Sequence, residues 1–308
     1  MPRLHGERSL RMTGVSSDFV KAPSAGDFAV SQSPHASSNR TLDPTIAAYY
    51  ARSPEEDRHT RGLSQLEAYR TRQLIERHAP PPSATVLDVG GAAGVYAFWL
   101  AERGYTVHLL DPVPRLVDEA RTRAGSAGRP LASCDVGDAR ALPYADGSAD
   151  VVLLLGPLYH LVDAADRARA LSEVSRVLAP GGILFAAAIT RWAYALYGLM
   201  RDLLGDPAFQ QIVDTSVRDG VHRPAQDGFF TNACFHRPDE LEAELRGAGF
   251  VVEGCYGLEG PCGMLPDFDE RWSDPGRRAG MIRIAEMVES EPSLLGMSPH
   301  ILAVARRP

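Results

Sequence analysis

Val86-Leu87-Asp88-Val89-Gly90-Gly91-Ala92-Ala93-Gly94 is the stretch on which the fold turns. Its first residues form a short apolar strand, and the glycine-rich turn leads into a helix carrying Tyr96, Phe98, Trp99 and Leu100. That helix ends near Gly104, and Thr106-Val107-His108-Leu109-Leu110 reads as a second strand closing on Asp111. Leu116, Val117 and Ala120 predict a further helix, and a third unit begins near Leu131. Asp150-Val151-Val152-Leu153-Leu154-Leu155 reads as a fully buried strand. Leu171, Val174 and Leu178 mark a helix face, and Pro180-Gly181-Gly182 is expected to break that helix and launch the strand Ile183–Ala188.

Strands alternating with helices at this spacing predict βαβ units and a parallel sheet. Right-handed crossovers then bring the C-terminal ends of the strands to one edge, where ligands of such sheets bind. Asp88, Asp111, Asp138 and Gly156 all fall at or just beyond strand ends. The fold expected is α/β, a Rossmann-like doubly wound sheet, mostly parallel, with helical insertions.

Upstream, helices are predicted around Pro44–Arg52 and Ser64–His78, the second stopped by Ala79-Pro80-Pro81-Pro82. Residues 1–42 are rich in Ser, Gly, Pro and Ala and are expected to be disordered, because they cannot bury enough apolar surface to offset chain entropy. Downstream, the sheet pattern pauses over 191–235, which holds Trp192, Tyr194, Tyr197, Phe229 and Phe230. It resumes with a helix Pro238–Gly247 and a strand starting Phe250-Val251-Val252. A second insertion occupies 258–297, and the chain ends on the strand His300–Ala305. The last two strands are read as an antiparallel pair whose connection has grown into a cap. The domain expected spans 43–308, with 43–82 as N-terminal lid helices.

A glycine-rich turn between strand and helix serves several ligands. The dinucleotide spacing G-x-G-x-x-G is absent, and so are the Lys and Ser or Thr of a P-loop. A donor without phosphates remains. The nonapeptide 86–94 resembles the first motif of class I S-adenosylmethionine-dependent methyltransferases, except that Ala92 stands where the motif has its middle glycine. Asp111 follows roughly twenty residues on, as a ribose-binding acid would. Gly137-Asp138-Ala139, the stretch Leu142–Val152 and Leu178-Ala179-Pro180-Gly181-Gly182 are similar to later motifs of that family, in order. The resemblance covers 83–190 firmly and 236–308 loosely. It implies S-adenosylmethionine as cofactor, held by Asp88, Gly90, Gly91, Gly94, Asp111, the adjoining Pro112, Asp138, Ala139 and Gly156.

The sulfonium methyl is already activated, so the enzyme needs chiefly to align a nucleophile and exclude water. A hydroxyl acceptor also needs a base. His160, in Gly156-Pro157-Leu158-Tyr159-His160, is the first candidate, and His236, after the aromatic insertion, is the second. Tyr49 and Tyr50 are read as packing residues of the first helix. The insertion aromatics suit either an apolar acceptor pocket or the core of a cap.

The chain has 308 residues, a formal net charge of -7 and 44% hydrophobic residues. The acidic balance argues against a nucleic-acid partner. Cys134, Cys234, Cys255 and Cys262 form no C-x-x-C pair, and no acidic cluster has metal-site spacing, so four free thiols and no metal are expected. With no apolar run of membrane-spanning length and no leader-like segment, a cytoplasmic protein is expected. The function expected is methyl transfer to the O, N or C nucleophile of a small molecule, as in specialised metabolism. A methyltransferase for peptide or RNA, or a non-catalytic S-adenosylmethionine-binding protein, stays open.

Overall fold

A computed structural model describes residues 42–52, 58–125, 127–223 and 230–308. Most of the segment expected to be disordered, and Phe229, therefore lie outside the described residues. Nine strands are described: β1 (Thr85–Val89), β2 (Thr106–Asp111), β3 (Ser133–Val136), β4 (Ala149–Leu154), β5 (Leu178–Ile189), β6 (Val221–His222), β7 (Ala233–Cys234), β8 (Val251–Gly257) and β9 (His300–Arg306). Seven form one sheet in the order β3-β2-β1-β4-β5-β9-β8. All neighbours from β3 to β5 pair in parallel, and β9 runs antiparallel between β5 and β8. This is the doubly wound Rossmann-like sheet expected, with its antiparallel C-terminal strand.

Helices α1 (Pro44–Tyr50) and α2 (Ser64–His78) precede the sheet. Helix α3 (Val95–Glu102) joins β1 to β2, α4 (Pro114–Ala124) joins β2 to β3, and α5 (Pro157–His160) with α6 (Ala164–Val177) joins β4 to β5. The first insertion carries α7 (Ala193–Arg201), α8 (Pro207–Asp219) and the β6–β7 hairpin, and α9 (Pro238–Gly247) leads into β8. The second insertion carries α10 (Phe268–Ser273) and α11 (Pro275–Val288).

Period-two alternation gives each central strand two apolar faces. Leu87, Val89, Val152 and Leu154 pack with α6 and α9 on one face. Val86, Val151, Leu153 and Phe185 pack with α2, α3 and α4 on the other. Two local signals set the lid helices. At α1, the Asp43 carboxylate accepts the Thr45 N–H at 2.8 Å, and Pro44 fills the first helical turn. On α2, the fully buried Arg70 guanidinium pairs with Glu289, just past α11, and fixes that helix against the second insertion.

Two expectations change. Leu178 does not lie on a helix face: α6 ends at Val177, and β5 starts at Leu178, which pairs with Ala149. Pro180-Gly181-Gly182 therefore forms an irregular opening of β5, with a register shift between Ala149 and Val151, and Gly181 at φ 78°. Of the insertion aromatics, Tyr194 is core, buried with Phe209 and Phe235, while Tyr197 and Phe230 pack against that cluster partly buried, Phe230 also beside His160.

The turn after β1 needs left-handed backbone at Gly90 (φ 75°), Ala92 (φ 48°) and Gly94 (φ 85°). Only Ala92 adopts it at a steric cost, about 1–2 kcal/mol for a residue with a Cβ. Glycine removes that cost but adds about 0.5–1 kcal/mol of chain entropy. Ala92→Gly should therefore leave stability unchanged or raise it by up to about 1 kcal/mol, read by denaturant unfolding; a loss above 1 kcal/mol would contradict this account.

Candidate active site

The strand ends converge on a cavity of about 350 Å³, within the range of small-molecule sites. Of the cofactor residues expected, Asp88, Gly90, Gly91, Asp111, Pro112, Asp138, Ala139 and Gly156 line it. Gly94 does not. A Cβ there would come within 2.9 Å of the Phe98 ring and 3.1 Å of Leu109, so this glycine serves close packing of α3 on the sheet.

Asp111 is 5% exposed at the end of β2. Its Oδ2 accepts the Ala92 N–H at 2.9 Å, and its Oδ1 accepts the Val113 N–H at 2.8 Å. One carboxylate thus ties the glycine-rich turn to the start of α4. Asp111 also lines the cavity, where a ribose diol would meet its carboxylate.

Asp88 lies beneath the turn, and a Cβ on Gly91 would sit 2.7 Å from its Oδ2. That oxygen is buried with no hydrogen-bond partner among the described residues. Burial, and then the negative Asp111, push the Asp88 carboxyl up to about 7. An orphaned buried oxygen under a close-approach loop suits a cationic ligand above it.

Past β3, Asp138 accepts from the Arg140 backbone N–H (2.8 Å) and from two guanidinium nitrogens, at 2.9 and 2.6 Å. Arg140 also bonds Asp166 at 2.6 Å. The pairing with Asp138, opposed by burial and reinforced by Asp166, raises the Arg140 pKa further. The facing loop, Leu161–Val162, is held by Arg167, which donates to both carbonyls at 2.9 Å. Asp138, Arg140, Leu161, Val162 and Asp166 thus line one slot of the cavity.

His160 lines the cavity and lies 2.6 Å, through Nε2, from the hydroxyl of Tyr50 on α1. Tyr50 lines it too, so it is more than a packing residue. His236 is not brought to the cavity. It is 2% exposed at the entry to α9, with Nε2 3.4 Å from Glu244. Burial pushes the Glu244 carboxyl up, but hydrogen bonds from His236 and Arg167 bring it down to about 2. His236 belongs to that hydrogen-bonded group with Glu244 and Arg167, away from the cavity.

Residues missed in the sequence are Glu67 and Thr71 of α2, together with His59, Tyr96 and Arg223, all on the cavity wall. The expectation of no metal-type cluster also needs amending: donor atoms of Glu67, Glu259 and His300 lie within 4.8 Å of one another. No spacing announced this, because the three come from α2, the β8–β9 connection and β9. All four cysteines are free thiols, and among the described residues no helix is long and apolar enough to cross a membrane.

A family model described as a methyltransferase domain matches residues 87–186. An uncharacterized methyltransferase of Mycobacterium bovis is 39% identical over 112 residues, 36% of this chain and 42% of that protein. The chain thus spans under half the length of that relative. The demethylmenaquinone methyltransferase of Deinococcus radiodurans is 32% identical over 172 residues, 54% of this chain and 67% of that one. The crystal structure of an S-adenosylmethionine-dependent methyltransferase from Methanosarcina mazei superposes with a TM-score of 0.53 at 20% identity, covering 76% of this chain and 96% of that one. That last likeness bears on the fold alone. The site is that of a Rossmann-like protein built to hold a cationic adenosine derivative. The chain belongs to the S-adenosylmethionine-dependent methyltransferase family.

Two outcomes follow for donor binding. Asp111→Ala should weaken S-adenosylmethionine affinity by about 1–3 kcal/mol, since it removes a charge-assisted partner and releases the turn; unchanged affinity in a folded variant would refute the assignment. The raised Asp88 pKa gives a pH dependence of definite sign. Below about pH 7 the unliganded site holds a proton that a cation must displace. S-adenosylmethionine affinity should therefore fall as pH drops from 8 to 6, by up to about tenfold per unit. Calorimetry should show that slope flattened in Asp88→Asn.

Proposed function

We propose that the protein transfers the methyl group of S-adenosylmethionine to a small-molecule acceptor, with His160 and its partner Tyr50 taking the acceptor's proton. The observation that carries this reading is one cavity shared by the Asp88–Asp111 cradle and the Tyr50–His160 pair.

Bound S-adenosylmethionine supplies an electrophilic methyl on a positive sulfur. Asp111 and the Asp138–Arg140 slot would hold the adenosine, and the Gly90-Gly91 turn would admit the sulfonium above Asp88. His160 stands just past β4, so an acceptor proton lost as the new bond forms and the carbon–sulfur bond breaks has a basic nitrogen to reach. Tyr50, whose hydroxyl is 2.6 Å from Nε2, would take the acceptor's proton on its oxygen as it passes its own proton to that nitrogen. Helix α1 covers the cavity with Ile46 and Tyr50, and Arg223 reaches it from the first insertion. These elements favour a small acceptor over a polymer, and their cover limits the water that reaches the methyl group.

The test is methyl transfer from radiolabelled S-adenosylmethionine to a panel of phenols, hydroquinones, amines and carboxylic acids. Hydroquinones are included because the Deinococcus relative is a demethylmenaquinone methyltransferase. With the best acceptor, His160→Ala should lower kcat by about 10²–10⁴-fold, with S-adenosylhomocysteine affinity within about threefold of the wild type. Tyr50→Phe should cost less. Equal losses in turnover and donor affinity would make His160 a donor-site residue rather than the base.

A further inference from the structure

The first insertion reaches the cavity with one charged side chain among the described residues, Arg223. Its backbone is set by the residue before it. Strand β6 pairs with β7, His222 opposite Ala233. The His222 ring turns into the insertion's core, where it is 1% exposed and stacked 5.8 Å from the Phe235 ring. Its Nε2 lies 2.8 Å from the Phe230 carbonyl. A carbonyl only accepts, so Nε2 carries the proton and donates it. Successive side chains of extended backbone point to opposite sides, and Arg223, exposed, turns to the cavity instead. The same hairpin carries Phe230, whose ring packs 5.5 Å from that of His160. One hairpin thus supplies a cation to the cavity and an aromatic neighbour to the His160 ring.

Two arginines line the cavity. Arg140 is held by Asp138 and Asp166, each at 2.6 Å. Arg223 makes no hydrogen bond or ion pair among the described residues. The acids of the adjoining elements are engaged elsewhere. Asp43, at the start of α1, accepts the Thr45 N–H on Oδ1 at 2.8 Å and the Asn232 side-chain amide on Oδ2 at 3.1 Å, which ties α1 to the hairpin. Asp163 accepts the Ala165 N–H at 2.9 Å and caps α6. In a chain of formal net charge -7, acids that could pair with an arginine are plentiful, yet this guanidinium faces the cavity. Its partner is then an anion that arrives with a ligand. One planar fork matches a carboxylate, with two parallel hydrogen bonds and one charge on each side. A phosphate dianion calls for further cations or a helix N-terminus, and Asp43 beside the hairpin would oppose it.

We propose that the methyl acceptor is a small organic acid, its carboxylate received by Arg223 while a neutral hydroxyl or amine of the same molecule faces His160. The proposal rests on the methyl-transfer reading and narrows its acceptor. The carboxylate is a handle and not the nucleophile: its charge is balanced by the guanidinium, and the group that gains the methyl and gives up a proton is the one at His160.

The experiment is calorimetric titration of the whole chain, saturated with S-adenosylhomocysteine, with 4-hydroxybenzoate, 4-hydroxyphenylacetate and 4-aminobenzoate, each against its primary amide, and with phenyl phosphate. In the wild type at least one acid should bind about 5- to 20-fold more tightly than its amide, a modest ratio because water screens an exposed guanidinium. Arg223→Gln should bring that ratio below about twofold and Arg223→Lys should keep part of it, with S-adenosylhomocysteine affinity within about threefold of the wild type in both. Acids that do not bind, or bind no tighter than their amides, overturn the proposal, and so does a ratio that survives Arg223→Gln. A fall in S-adenosylhomocysteine affinity in Arg223→Gln also overturns it, by giving the arginine to the donor, and tighter binding of phenyl phosphate than of every acid would make the anion a phosphate. A wild type that does not bind S-adenosylhomocysteine refutes the methyl-transfer reading itself, whereas the other failures refute only the acid handle.

Discussion

The carboxylate of Asp111, accepting from Ala92 on one side and Val113 on the other, is the contact on which the cradle depends. It is possible because β1 and β2 are adjacent parallel strands, with Val89 opposite Leu110, so that both C-terminal ends stop at one level. The Gly90 and Gly91 N–H groups then bond the Leu110 carbonyl, at 2.7 and 3.3 Å, and the turn is pulled over β2. Bringing the Ala92 N–H to Asp111 leaves that residue in left-handed backbone. The same closure buries Asp88 under Gly91. Strain at Ala92 and an unsatisfied oxygen at Asp88 are thus two results of one arrangement, and a bound cation relieves the second.

The insertions act at one remove. The first builds its own aromatic core around Tyr194, Phe209 and Phe235. It reaches the sheet through His236, whose backbone bonds Ile189 and Arg191 and whose ring faces Glu244. Glu244 in turn holds Arg167, and Arg167 holds the Leu161–Val162 loop of the cavity. The second insertion meets α2 through Arg70–Glu289 at one end and the Glu259–His300 group at the other. Both connections therefore order walls of the site while contributing few side chains to it directly.

The fold was legible because its signals are local. A strand, a tight turn and a helix at 86–100 repeat with a period that only βαβ units satisfy. That Asp88, Asp111, Asp138 and Gly156 would line one cavity was legible for the same reason: each sits near or just past a strand end, and strand ends share an edge. What stayed hidden was assembled across the chain. Glu67, Glu259 and His300 are remote in sequence and meet only through the antiparallel return of β9 beside β8. Tyr50 was read as packing because its partner, His160, is 110 residues away. His236 had the residue type and neighbourhood of a catalytic histidine, but Glu244, in the second turn of α9, engages its ring away from the cavity. Gly94 matched its motif and sits at φ 85°, where a Cβ would come within 2.9 Å of the Phe98 ring, so close packing calls for glycine there. Leu178 shows the limit of periodicity, since an apolar residue ending a helix also suits the start of a buried strand.

An anionic cavity raises a question about catalysis. Asp43, Glu67, Asp88, Asp111 and Asp163 line it, against two arginines: Arg140, engaged by Asp138 and Asp166, and Arg223. Such a wall favours the sulfonium, and an interaction that stabilises only the bound ground state slows the reaction. With His160 as the base, the objection weakens. As the methyl leaves, the sulfur becomes neutral, and the proton taken from the acceptor makes His160 an imidazolium on the same wall. The positive charge moves across the cavity without leaving it, and the carboxylates face one cation before and after the transfer. An acceptor that arrives already deprotonated would instead bring its own negative charge into this field and be opposed by it. The charge pattern thus favours a neutral nucleophile that loses its proton inside the site, which is the step proposed for the Tyr50–His160 pair.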